Sequence, residues 1–277
     1  MHQLVLKLKR FTSMHHRSVL EELKVKWTDF PSNFVFGVST AAAQIEGSVK
    51  EAGRGPSVWD KFVEIPERIM DKSNMFTSVD SYKRYKEDVK LVKDLGVDAY
   101  RFSISWTRIL PNGTLSGGIN QEGIDHYSNL IDELIKNGIT PYVTLLHFDH
   151  PKPCQTSMMA NDFKDYSELC FKTYGDRVKN WITINEPLVM GKMGYDLGVA
   201  PPGRCSVQAP QNKIERKDGN STTEPYIVTH NLILSHATVV KLYRENFQAK
   251  QGGKIGWSLV GQYVEPYSDA KLQRKEF

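Results

Sequence analysis

From Phe34 onward, short apolar runs alternate with longer stretches of helical period. Five runs are rich in β-formers: Phe34–Ser39, Ala99–Ser105, Pro141–Leu146, Trp181–Ile184 and Ile255–Val260. Between them, apolar positions recur every three or four residues. Val79, Tyr82, Tyr85, Val89, Val92 and Leu95 form one stripe ahead of Gly96. Ile124, Tyr127, Leu130, Ile131, Leu134 and Ile135 form a second ahead of Gly138. Phe163, Tyr166, Leu169, Cys170 and Tyr174 precede Gly175, and Ile227 to Tyr243 supplies a fourth. Alternation with crossovers of this length predicts a parallel sheet with right-handed connections. The count is about five βα units, so the expected fold class is α/β, an incomplete (β/α)8 TIM barrel.

No repeat, low-complexity tract or Pro/Ser linker divides the body, which reads as one domain over 27–277. The preceding 1–26 reads as a basic leader arm, expected to be disordered. The net charge of +4, from 36 Lys+Arg against 32 Asp+Glu, sits in that arm. Residues 1–26 hold Lys7, Lys9, Arg10, Arg17, Lys24 and Lys26 against Glu21 and Glu22, which leaves 30 of each sign elsewhere. A neutral body with dispersed charges argues against nucleic acid as a partner. Lys7 and Lys9 interrupt Leu4-Val5-Leu6, so the arm has no secretory apolar core, although it is acid-free to residue 20 as transit peptides are. Cytoplasm and plastid both stay open as destinations. No stretch approaches the ~20 apolar residues of a membrane span.

The polar clusters fall after strand candidates, where a parallel barrel presents its loops. Gln44 and Glu46 follow the first run, His147 and Asp149 the third, Asn185 and Glu186 the fourth. Trp181-Ile182-Thr183-Ile184-Asn185-Glu186-Pro187 is an apolar strand ending in an amide and a carboxyl, with Pro187 stopping the pairing. A carboxyl beside apolar walls is suited to general-acid work; the alternative is a strand-end glutamate in a loop salt bridge. His147 offers a donor and an acceptor to vicinal sugar hydroxyls beside the aromatic Phe148. His147-Phe148-Asp149-His150 also reads as metal ligands, but no third cluster supports a metal site. Arg101 either points into the barrel, where a buried guanidinium requires a carboxylate, or snorkels outward. Phosphate loop, dinucleotide fingerprint, nucleophile elbow and His-Glu-x-x-His motif are all missing from the sequence. Cys154, Cys170 and Cys205 show neither a disulfide framework nor a zinc spacing. Asn112 and Asn220 head glycosylation sequons, relevant only on a secretory route.

Four ordered stretches together resemble glycoside hydrolase family 1, the retaining β-glucosidases, and plant members most closely. They are Phe34–Gly47, Gly53–Asp60, Tyr100–Arg108 and Thr183–Pro187, within a resemblance running from about Trp27 to Asp269. The resemblance implies that Glu186 is the acid/base catalyst. It implies that Gln44, His147, Asn185 and Glu186 line the glucose subsite and that Arg101 lies beside the nucleophile. It also implies a β-glucoside substrate, O-glycoside rather than thioglucoside cleavage, and no metal or organic cofactor.

Several residues depart from that family's pattern. The nucleophile's Glu-Asn-Gly motif is not in this sequence. Glu245-Asn246-Phe247 falls inside a helical stretch, and nothing marks Glu265 for the role. Ala43 stands where an aromatic or polar residue is expected, and Phe148 where a tryptophan is. The loop from Asp149 to Asp162 is shortened, and Cys205 has no disulfide partner in 206–222. Retaining hydrolysis requires two carboxyls about 5–5.5 Å apart. The chain alone is therefore expected to be a truncated, nearly inactive β-glucosidase relative. The alternatives are a non-catalytic relative that associates with homologous β-glucosidase subunits, or a weak sugar-binding module.

Overall fold

A computed structural model describes residues 27–66, 68–151, 159–206 and 219–262. The leader arm, Cys154 and Glu265 lie outside the described residues. Five strands form one sheet: β1 Gly37–Ser39, β2 Ala99–Ser103, β3 Thr140–Leu146, β4 Asn180–Asn185 and β5 Lys254–Ser258. Every neighbouring pair is parallel, and the spatial order is the chain order. A doubly wound sheet reverses its order partway, whereas a barrel does not. Four long helices make the crossovers: α1 Ser81–Asp94, α2 Gln121–Lys136, α3 Met159–Tyr174 and α4 Glu224–Asn246. These are five strands of a (β/α)8 barrel.

The helices bury the stripes that the sequence marks out, with losses at their ends. On α2, Ile124, Tyr127, Leu130, Ile131 and Leu134 are buried and Ile135 is not. On α1, Val89 and Val92 are buried, whereas Val79 lies outside the helix and is exposed, because Asp80 turns left-handed (φ 54°) just before it. Gly96 and Gly138 close α1 and α2 at φ +70° and +76°, a conformation that other residues adopt at a cost. Strand β3 is buried almost throughout, as a strand covered on both faces must be.

Three strands are shorter than the apolar runs suggest. The first pairs only over Gly37–Ser39; in the separate unit 27–36, Phe30, Phe34 and Phe36 pack against one another, tilted or edge-on, with centroids 4.7–5.0 Å apart. The second ends at Ser103, because Ser105 donates its N–H to the Tyr127 hydroxyl (2.8 Å) and opens the short helix Trp106–Ile109. The fifth ends at Ser258, which leaves Leu259 and Val260 61% and 44% exposed.

One charged cluster is locked inside this frame. Glu46, after β1, receives Arg108 Nε at 2.9 Å and the Tyr127 hydroxyl of α2. Arg108 is 0% exposed, donates also to the Gly47 carbonyl (3.2 Å) and lies over the Tyr82 ring of α1 at 4.1 Å. Burial alone would lower the Arg108 pKa, but Glu46, Tyr127 and Tyr82 raise it. Removing one partner of such a pair leaves an uncompensated buried charge. Glu46→Ala is therefore expected to cost about 3–5 kcal/mol in urea unfolding, with partial recovery in Glu46→Ala/Arg108→Met. A loss under ~1 kcal/mol would show the cluster to be dispensable.

Among the described strands β1 and β5 have one neighbour each, and helix α4 leaves Tyr226, Ile227, Ile233 and Leu234 exposed. Unpaired parallel edges beside apolar surface drive association. The isolated chain is expected to associate with rising concentration in sedimentation velocity, and Leu259→Lys to weaken that association. A monodisperse, cooperatively melting monomer would contradict it.

Candidate active site

Parallel strands aim their C-terminal ends at one mouth, and the sequence-derived candidates stand there in two groups. The first group is built on Arg101. From the middle of β2 its side chain reaches Thr144 of β3 (Nε to Oγ1, 2.9 Å), Asn185 of β4 and Ser258 of β5 (Nη1 to Oγ, 3.3 Å). Contact with three successive strands fixes Arg101 on the inner face, which removes the snorkelling alternative. The carboxylate partner expected for it is replaced by neutral oxygens. Burial lowers the Arg101 pKa, and the charge of Glu186 works against that drop.

Asn185 is buried, and its side-chain oxygen is committed to Arg101, which leaves its NH2 as a donor. Glu186 is half-buried with φ 42°, a left-handed backbone for a residue that has a Cβ. Its N–H donates to the Ser258 carbonyl (2.8 Å), and its own carbonyl receives Val189 and Met190 of the Pro187–Gly191 turn. The β4–β5 register is irregular between Ile182 and Asn185, a common device for aiming side chains beside a site.

Gln44 and His147 make the second group. Gln44 stands in the short helix Ala42–Ile45, whose carbonyl at Gln44 accepts from the Ser78 hydroxyl. Both residues line one cavity of about 300 Å³. Burial, reinforced by the Arg101 charge, pushes the His147 pKa down to about 4. Its ring is thus neutral at pH 7 and offers one donor and one acceptor. That same field is what links the two groups.

Below His147, Asp149 is buried and accepts the His147 backbone N–H at 3.3 Å. Burial pushes its pKa up to about 7, against the pull of that hydrogen bond and of Arg54. His150 is buried, with Nδ1 3.1 Å from the Pro151 carbonyl and a pKa lowered by burial to about 4. No group of three or more His, Cys, Asp and Glu residues among those described is placed to hold a metal. Glu245 is exposed beside Lys241 (3.9 Å) in the last turn of α4, and not at a strand end. Cys170 is buried, which raises its thiol pKa and leaves it inert, and Cys205 is buried too. No helix among the described residues is long and apolar enough to cross a membrane.

Sequence reasoning missed Thr144 and Ser258 as supports of Arg101. Thr144 had a signal, as the one polar side chain within Val143–Leu146. Ser258 had none, because nothing in a sequence reports which strand lies three places away.

Parallel strands in chain order, with amide, carboxyl, imidazole and guanidinium groups at their C-terminal ends, define the class as a (β/α)8-type barrel with its chemistry at the mouth. The chain belongs to glycosyl hydrolase family 1, whose family model matches residues 26–276. It is 55% identical over 249 residues to the furostanol glycoside 26-O-β-glucosidase of Hellenia speciosa, covering 87% of this chain and 43% of that protein. It is 50% identical over 259 residues to β-glucosidase 14 of Arabidopsis thaliana, covering 91% and 52%. The crystal structure of rice Os3BGlu6 β-glucosidase superposes with a TM-score of 0.82 at 47% identity, covering 87% of this chain and 51% of that one. The chain thus spans about half the length of the relatives it matches.

Asp149 makes this site sensitive to pH. The folded chain keeps its carboxyl protonated up to about pH 7, against an ordinary value of 3.8. Its contribution to stability is therefore complete below about 3.8 and lost as pH rises through about 7. His147 and His150, with pKa values lowered to about 4, act with the opposite sign between about 6.5 and 4. Asp149→Asn is expected to remove only the first slope. In urea titrations from pH 4 to 8, wild type should lose a few kcal/mol relative to the variant as pH rises. A pH-independent difference would mean that Asp149 ionises normally.

Proposed function

We propose that this chain carries the acid/base half of a retaining β-glucoside-cleaving site. The single observation behind this is the Asn185-Glu186 pair at the end of β4, held beside an inward guanidinium whose hydrogen-bond acceptors are all neutral. In this reading Gln44, His147 and Asn185 bind the glucose hydroxyls. Protonated Glu186 donates to the glycosidic oxygen as the bond from that oxygen to C1 breaks. A second carboxylate, outside the described residues and beside Arg101, attacks C1. Water then attacks C1 of the glycosyl-enzyme, and ionised Glu186 takes its proton as glucose leaves. The names of the relatives, β-glucosidases, support a β-glucoside as substrate. The second reading, an inert relative that associates with homologous β-glucosidase subunits, is favoured by the exposed β5 edge and the apolar face of α4.

Without a second carboxylate, turnover falls by roughly 10⁴–10⁶, as it does when a catalytic-triad member is removed from other hydrolases. The purified chain is therefore expected to cleave an aryl β-glucoside only at such a residual rate, and Glu186→Gln to abolish it. Residual activity untouched by Glu186→Gln removes Glu186 from the acid/base role. A rate of ordinary enzyme magnitude shows that a carboxylate within this chain serves as nucleophile.

A further inference from the structure

The cavity beside Gln44 and His147 is more apolar than sugar hydroxyls call for. Its walls include Ala43, Trp59, Val63, Ile69, Met75 and Phe148, and its polar lining comprises Gln44 and His147 together with Ser73, Asn74 and Ser78, whose hydroxyl is committed to the Gln44 carbonyl. About 300 Å³ is the lower end of the ~300–1,000 Å³ range for small-molecule pockets, whose walls are mostly apolar with a few orienting polar groups.

The walls are fixed before any ligand arrives. Trp59 stands in the short helix Val58–Phe62, whose first turn is closed by Ser57 and Asp60 hydrogen-bonding each other. Asp60 is in turn paired with Arg54 at 3.0 Å, and Trp59 packs edge-on against Phe62 at 5.7 Å. The Ser78 hydroxyl ties the segment carrying Ile69 and Met75 to the Gln44 carbonyl. Phe148 is in the left-handed region (φ 66°), which sets its ring edge-on to His147 at 5.1 Å. Ala43 lines this space, so a larger side chain at position 43 would intrude on it.

Position decides which part of a glucoside this cavity meets. Its lining comes from the β1 and β3 ends and from residues 59–78, and it includes neither Asn185 nor Glu186 at the end of β4. The leaving group departs at Glu186. The cavity therefore opens from the opposite edge of the sugar ring, the edge gripped by Gln44 and His147. We propose that it is a subsite for an apolar acyl group esterified to the sugar ring, so that the favoured substrates are acylated β-glucosides. This rests on the reading of Gln44 and His147 as glucose ligands.

The experiment is a binding titration of the 277-residue chain, followed by ligand-observed NMR. The probes are methyl β-D-glucopyranoside, its 4-O- and 6-O-hexanoyl esters, methyl hexanoate and methyl β-cellobioside. At least one ester is expected to bind ~10-fold or more tightly than the plain glucoside. Ala43→Tyr should cancel that advantage without lowering the melting temperature, and Ala43→Gly should keep it. Equal binding of ester and plain glucoside overturns the proposal, as does an ester advantage that survives Ala43→Tyr in a folded variant. Cellobioside binding as tightly as the ester overturns it in favour of a second sugar. Methyl hexanoate binding as tightly as the ester also overturns it, and locates the failure in the glucose reading and not in the cavity.

Discussion

The ion pair between Glu46 and Arg108 is the constraint on which the front of this barrel depends. A fully buried guanidinium is tolerable only where a carboxylate and hydrogen-bond acceptors surround it. Here Glu46 and the Gly47 carbonyl after β1 accept from it, the Tyr127 hydroxyl of α2 donates to Glu46 and the Tyr82 ring of α1 lies against the guanidinium. Satisfying one charge therefore fixes the loop after β1 against two crossover helices. Gln44 stands two residues before Glu46, so the cavity wall it forms inherits its position from this pair.

Arg101 and Arg108 lie on or just after the same strand, yet they are solved in opposite ways. Arg108 has an anionic partner in contact and is sealed from water. Arg101 has three neutral acceptors and is only half-buried, and Glu186 acts on it through space without touching it. The first arrangement is that of a structural pair. The second keeps a positive field at the mouth, where it depresses the basicity of His147 and leaves room for a negative group.

The helices and the sheet order were legible because they rest on periodicity, which a sequence states directly. Strand ends were less so: Phe34 and Phe36 are as β-prone as their neighbours, and the edge-on and tilted packing among the Phe30, Phe34 and Phe36 rings is invisible in the pattern. The residues at the mouth were findable because a polar side chain at the end of an apolar strand is locally anomalous. Their supports were not. Whether Arg101 faced inward or outward turned on Ser258, 157 residues away. The anionic partner expected for a buried arginine belonged instead to Arg108, seven positions further along.

Glu186 takes its aim from its backbone. Its left-handed φ and its N–H bond to Ser258 make it the last rung of the β4–β5 ladder, and β5 has no second neighbour among the described strands. The direction of the Glu186 carboxyl is thus tied to how firmly an outer strand is held. A strand added along β5 would stiffen that rung without touching the carboxyl, so extending the sheet and steadying the Glu186 side chain are one mechanical event.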